Sequence, residues 1–124
     1  MRLVLILALR ATFVALAFLA QTALAAAPVP TTCKLDGAYE RALCAYQRRN
    51  FAEAETAFRA LSERPEQDAT TIRSLYFLAR TLMKTGRFDE ASALLIRIYA
   101  LDQSFYDAWN GDFLLGECRK ALGK

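Results

Sequence analysis

The chain of 124 residues contains no histidine, only three cysteines, three prolines and one tryptophan. Without imidazole there is no Ser-His-Asp or Cys-His nucleophile pair, no histidine general base and no histidine-ligated zinc. Three thiols cannot complete a four-thiolate zinc site either. Charge of one sign is also scarce: 16 Lys and Arg face 13 Asp and Glu, a net +3. That balance gives no electrostatic footprint for nucleic acid. The length suits one domain with a single core. These absences argue against an enzyme and leave no candidate catalytic residue, metal site or cofactor.

What is present begins with an N-terminal sorting pattern. Arg2 and Arg10 flank a leucine-rich start, Ala11 to Ala20 form an apolar run, and Ala23-Leu24-Ala25 offers a small-x-small exit. Together these describe a secretory signal peptide over 1–25, with cleavage after Ala25. Adjacent arginines are missing, so the general secretory (Sec) route to the periplasm or the exterior is expected. The alternative is a retained membrane anchor, in which case the protein would be membrane-associated. Against it, Arg10 interrupts the span, and each apolar piece is shorter than the roughly 20 residues a bilayer needs. Cys33 follows Val29-Pro30-Thr31-Thr32, which is no lipid-attachment pattern. Cleavage would remove Arg2 and Arg10 and leave a nearly neutral chain.

Residues 26–35 read as an extended leader, since Pro28, Pro30, Thr31 and Thr32 do not propagate a helix. From 36 to 122 the apolar residues recur at three and four, predicting five helices and no strand. The first has Asp36 as N-cap and Tyr39, Ala42, Leu43 and Tyr46 on its stripe, and ends at Arg49-Asn50, with Asn50 tolerated in a left-handed turn. The second carries Phe51, Ala54, Ala57, Phe58 and Leu61 and stops at Pro65. The third, about 70–85, buries Leu75, Leu78, Ala79 and Leu82, and Gly86 supplies a left-handed C-terminus. The fourth carries Phe88, Ala91, Leu95 and Ile98 and closes near Asp102. The fifth runs over 105–122 with Trp109 and Phe113. The fold class is all-α.

The helices repeat. Phe51 and Phe88 lie 37 residues apart; each is followed three residues later by alanine (Ala54, Ala91) and four after that by a large apolar residue (Phe58, Leu95). Tyr46 and Leu82 stand four before Asn50 and Gly86. This pattern resembles the tetratricopeptide repeat, a helix-turn-helix unit of 34 residues. The second unit, about 72–102, matches best, with Leu75, Leu78-Ala79, Leu82, Gly86, Phe88, Ala91 and Leu95 at family positions. The first, about 36–64, lacks one turn residue and has Asn50 in place of glycine. Residues 113–123 resemble the first helix of a third unit that then stops, a C-terminal capping helix. The resemblance implies antiparallel helix pairs stacked as a short solenoid, in which Ala54, Ala79 and Ala91 allow close helix approach and Phe51 and Phe88 wedge the turns. A small helical bundle with coincidental spacing is the alternative.

The family binds peptides on a face lined by the first helix of each unit. By that resemblance Arg73, Tyr76, Arg80 and Lys84, at i, i+3, i+7 and i+11, would line the groove, and three cations around a tyrosine suit an acidic segment or a chain-terminal carboxylate. The Lys/Asn clamp of chaperone-binding relatives is not reproduced, since Tyr39, Leu43 and Phe77 occupy comparable places. The alternative is a solvated helix face. For the cysteines, export would favour a Cys33–Cys44 disulfide tying the leader to the first helix, with free thiols or other pairings, including an intermolecular one, as alternatives. Cys44 lies off the apolar stripe, on the side of Arg41 and Arg48, whereas Cys118 reads as a buried thiol. Gly111 and Glu117 have calcium-loop spacing, yet Tyr106 and Ala108 stand where ligands are needed. The leading expectation is an exported protein-interaction module whose partner is a protein or peptide. A structural envelope protein, tethered by an uncleaved start and without a groove ligand, competes with it. The oligomeric state is open.

Overall fold

A computed structural model describes residues 32–124, which form six helices with no strand among them. The expected signal peptide and the leader before Thr32 lie outside the described residues. None of the helices described is long and apolar enough to cross a membrane.

The first helix, α1 (Ala38–Gln47), starts at Gly37 and not at Asp36: the first helical bond runs from the Arg41 N–H to the Gly37 carbonyl at 3.0 Å. Asp36 is drawn away from capping because the Arg41 guanidinium holds the carbonyls of Leu35 and Asp36 at 2.8 and 2.7 Å. The chain ahead of α1 therefore folds back along it. Cys33 and Cys44 are bridged, with Cα atoms 5.7 Å apart. Although Cys44 shares a helix side with the exposed Arg41 and Arg48, it is buried, because the bridged segment covers it.

The turn into α2 (Phe51–Ser62) corrects the expected repeat register. The left-handed residue is Arg49 (φ 63°), 37 positions before Gly86 (φ 80°). The Asn50 N–H bonds to the Ala45 carbonyl at 2.9 Å, as the Arg87 N–H does to Leu82 at 2.9 Å. These six-to-one bonds mark the same helix-ending motif in both units. No turn residue is missing, and the partner of the buried Leu82 is the buried Ala45 rather than Tyr46. Asn50 instead caps α2, accepting from the Glu53 N–H and donating to its carboxylate at 2.6 Å. The first bond satisfies one backbone amide otherwise left open at a helix start, and the second holds the capping side chain in place.

Asp68 caps α3 (Ala69–Lys84) through the Thr71 N–H at 2.9 Å, and α4 (Phe88–Leu101) follows the Gly86 turn. Helix α2 packs on both α1 and α3, and α3 on α4. Ala54, Ala79 and Ala91 are fully buried between these helices beside Phe58, Leu78, Leu82 and Leu95, while Phe51 and Phe88 are half-buried at the turns. Small side chains let the axes approach, and the larger ones fill the space between them.

The last helix differs from expectation. In place of one helix over 105–122 there are two, α5 (Gln103–Ala108) and α6 (Gly111–Ala121), separated at Asn110 with φ 56°. Asn110 takes the left-handed conformation at low cost for a residue with a side chain. A Cβ on Gly111 would lie 2.2 Å from the Tyr106 ring, so only glycine admits this ring against the start of α6. The Tyr106 hydroxyl donates to Asp112 at 3.0 Å, and its pKa is pushed up to about 12, first by burial and then by that carboxylate. The Tyr106–Glu117 stretch with calcium-loop spacing thus runs from the end of α5 across a helix break at Trp109–Asn110 into α6. Both α5 and α6 pack on α4, with Cys118 buried beside Ser92.

Candidate functional site

Of the four residues expected to line a groove on α3, the structure brings Arg80 and Lys84 into one cleft and separates the other two. Arg73 is exposed two turns earlier, roughly 10 Å from Arg80 along the axis. There it stands near Tyr39, whose phenol is raised by burial and partly lowered again by Arg73. Tyr76 is no free contact: it is buried (7% exposed). Trp109 and Phe105 stack on each other and meet Tyr76 edge-on, with ring centroids 4.9 and 5.9 Å away. The short α5 helix thus covers the tyrosine that a bare α3 would present.

Arg80 is half-buried, its guanidinium carbon 5.8 Å from the ring centroids of both Tyr46 and Tyr76. Such cation–π contacts hold the planar group in place without neutralising it. Past it, residues of α3, α4 and α6 enclose a hollow of about 550 Å3. Arg80, Met83 and Lys84 line it from α3, Phe88 from α4, and Phe113, Leu114, Glu117 and Lys120 from α6. A second hollow of about 250 Å3, bounded by Tyr46, Arg49 and Phe51, adjoins the other side of Lys84.

Sequence reasoning missed the α6 contribution. Phe113, Glu117 and Lys120 recur at four and three on the face opposite the buried Cys118, a signal obscured by reading residues 105–122 as a single capping helix. It also missed Met83, and it assigned Phe88 to turn packing alone.

What sets the cations of this cleft apart is their convergence on one hollow, not the lack of an ion pair. Among the described residues, Arg59, Arg64, Arg87 and Lys124 form ion pairs, whereas Arg80, Lys84 and Lys120 in the cleft form none, as is also true of Arg41, Arg48, Arg49, Arg73, Arg97 and Arg119 outside the α3–α6 hollow. Glu55 accepts from Arg59 at 2.8 Å and from Arg87 at 2.7 Å, and Arg87 also grips Glu90 at 2.6 Å, tying α2 to the start of α4. The Arg59 hydrogen bond, followed by Arg87, holds the Glu55 carboxyl below its ordinary range. No group of three or more Cys, Asp and Glu among the described residues is placed to hold a metal.

The family assignment rests on the shared turn motif, the alanine-lined helix pairs and a family model, tetratricopeptide repeat, that matches residues 45–111. The chain belongs to the tetratricopeptide repeat family. The match runs from the last turn of α1 to the start of α6. Searches of curated proteins and of solved structures found no match. Tetratricopeptide repeats are in general non-enzymatic scaffolds, so membership makes this chain a protein-interaction module in type.

Proposed function

We infer that this tetratricopeptide protein is exported and works without chemistry of its own, docking an acidic segment or C-terminal carboxylate of a partner protein against α3. The observation that carries the reading is the placement of Arg80 and Lys84 in an open cleft, with no ion pair among the described residues. Charge-assisted hydrogen bonds from these two groups to a carboxylate would meet no internal competitor on α3. Export is supported by the N-terminal sorting pattern and by the Cys33–Cys44 bridge, a bond that persists in oxidising compartments. Its own test is N-terminal sequencing of the protein from the cell envelope. A chain beginning at Ala26 is expected, and one beginning at Met1 would return the tethered reading.

Docking is tested by crosslinking capture from the native envelope, with the wild-type protein and an Arg73→Glu/Arg80→Glu/Lys84→Glu variant as baits. Helical content is checked first by circular dichroism. A partner held by the wild type and lost by the variant is expected. Equal capture by both would move binding off α3 and refute the site.

A further inference from the structure

The two hollows flanking Lys84 specify more than an acidic ligand. The geometry points to a ligand segment that reads apolar–acidic–apolar: one large apolar side chain in the α3–α6 hollow, carboxylates at Arg80 and Lys84, and a second apolar side chain against Tyr46 and Phe51. This rests on the docking reading above and adds the order of chemistry along the partner.

Lys84 is the residue common to both hollows. A chain passing from one to the other therefore crosses its ammonium group, which favours a carboxylate at the crossing; beyond it, Arg49 and Gln47 also line the smaller hollow, and its apolar walls are Tyr46 and Phe51. The larger hollow is walled by Met83, Phe88, Phe113 and Leu114, and Phe113 is 67% exposed. Covering an apolar side chain held in solvent is favourable in proportion to the area covered, so an acidic ligand without an apolar anchor would forgo much of what this cleft offers. Glu117, the one carboxylate among the described lining residues, stands on the α6 wall. Lys120, three residues on along the same wall, offsets it, so the positive charge left over in the hollow is that of Arg80 and Lys84 on the α3 wall. Arg80 is already oriented by Tyr46 and Tyr76, so it loses little rotamer freedom on binding. The α6 wall of the cleft begins immediately after the left-handed Asn110 that separates it from α5.

The probe is acetyl-Gly-Leu-Glu-Glu-Phe-Gly-amide, titrated into isotope-labelled protein produced from the full sequence as the cell processes it. Amide resonances of α3 and α6 provide the readout. Three control peptides replace Leu and Phe by serine, replace both glutamates by glutamine, or end in a free carboxylate after the second glutamate. Saturable shifts at the C-terminal half of α3 and along α6 are expected, with Kd raised at least tenfold by Lys84→Glu and at least fivefold by Phe113→Ser. Both side chains are exposed, and circular dichroism confirms that each variant is folded. The serine peptide is expected to bind at least tenfold more weakly, as is the glutamine peptide. Tighter binding of the truncated peptide would assign the acid to a chain terminus and overturn the second apolar anchor.

Equal binding of the serine peptide would reduce the site to general electrostatics and overturn the inference. So would indifference to Phe113→Ser, or equal occupancy of the same resonances by palmitate, which would assign the hollow to a lipid. If partner capture depends on Arg80 and Lys84 while no peptide shifts α6, this inference fails and the docking reading stands. If peptides bind as expected while capture ignores those cations, the docking reading fails and the chemical preference stands.

Discussion

Removing the Cys33–Cys44 bridge is expected to lower the melting temperature by about 15 °C. The bridge closes a loop over a sequence separation of 11 residues. In the chain-entropy treatment such a loop restricts the unfolded chain by about 3 kcal/mol, and for a domain of this size each kcal/mol shifts the melting temperature by roughly 4–8 °C. Cys33→Ser is the suitable perturbation, since Cys33 is only half-buried while Cys44 lies in the interior. The Arg41 bonds to the carbonyls of Leu35 and Asp36 remain in the variant, so the segment loses its tether without losing every contact. The assay is thermal unfolding by circular dichroism at 222 nm, with and without reductant. Reductant is expected to bring the wild type down to the variant and to leave the variant unmoved, because Cys118 is buried and free. A variant within 3 °C of the oxidised wild type would refute the reasoning. A variant that itself responds to reductant would show Cys118 engaged in a second bridge.

Three further outcomes are expected. Arg49→Gly places glycine at φ 63° and should stabilise the protein by about 0.5–1 kcal/mol in urea unfolding; destabilisation would deny that the two turns are equivalent. Gly111→Ala drives a methyl group into the Tyr106 ring and should destabilise by about 2 kcal/mol, with loss of the tyrosine near-ultraviolet signal; a neutral result would mean that the ring is free to move. Glu55 has a carboxyl pKa lowered by Arg59 and Arg87, so its contribution to stability is in full force above its ordinary value of 4.5 and is lost as pH falls through its folded value. Melting temperature measured from pH 7 to 2 should therefore fall less steeply in Glu55→Gln than in the wild type, and parallel curves would refute the linkage.

Much of the site was illegible locally for identifiable reasons. The i, i+3, i+7 spacing places Tyr76 beside Arg73 and Arg80 on one face of α3, but nothing in that spacing shows that Phe105 and Trp109 will come to lie over it. Cys44 sits among arginines on its helix and is buried only because a segment eleven residues earlier is bound to it. In the final stretch the apolar period continues across the break, and asparagine in a left-handed turn costs too little to announce itself. The Asn50 misreading came from counting back from Tyr46. The hydrogen bonds to Ala45 and Leu82 give the true register.

The helical class, the paired-helix repeat and the places of Ala54, Ala79, Ala91 and Gly86 are legible in the chain alone, because periodicity, side-chain size and a glycine turn act over one or two helical turns. Which cations face a cleft and which aromatic residues wall it emerges only once the helices pack. Those outcomes depend on where α5 and α6 fall against α3 and α4. That placement is set by the contact between Tyr106 and Gly111 and by the direction the chain takes after Asn110.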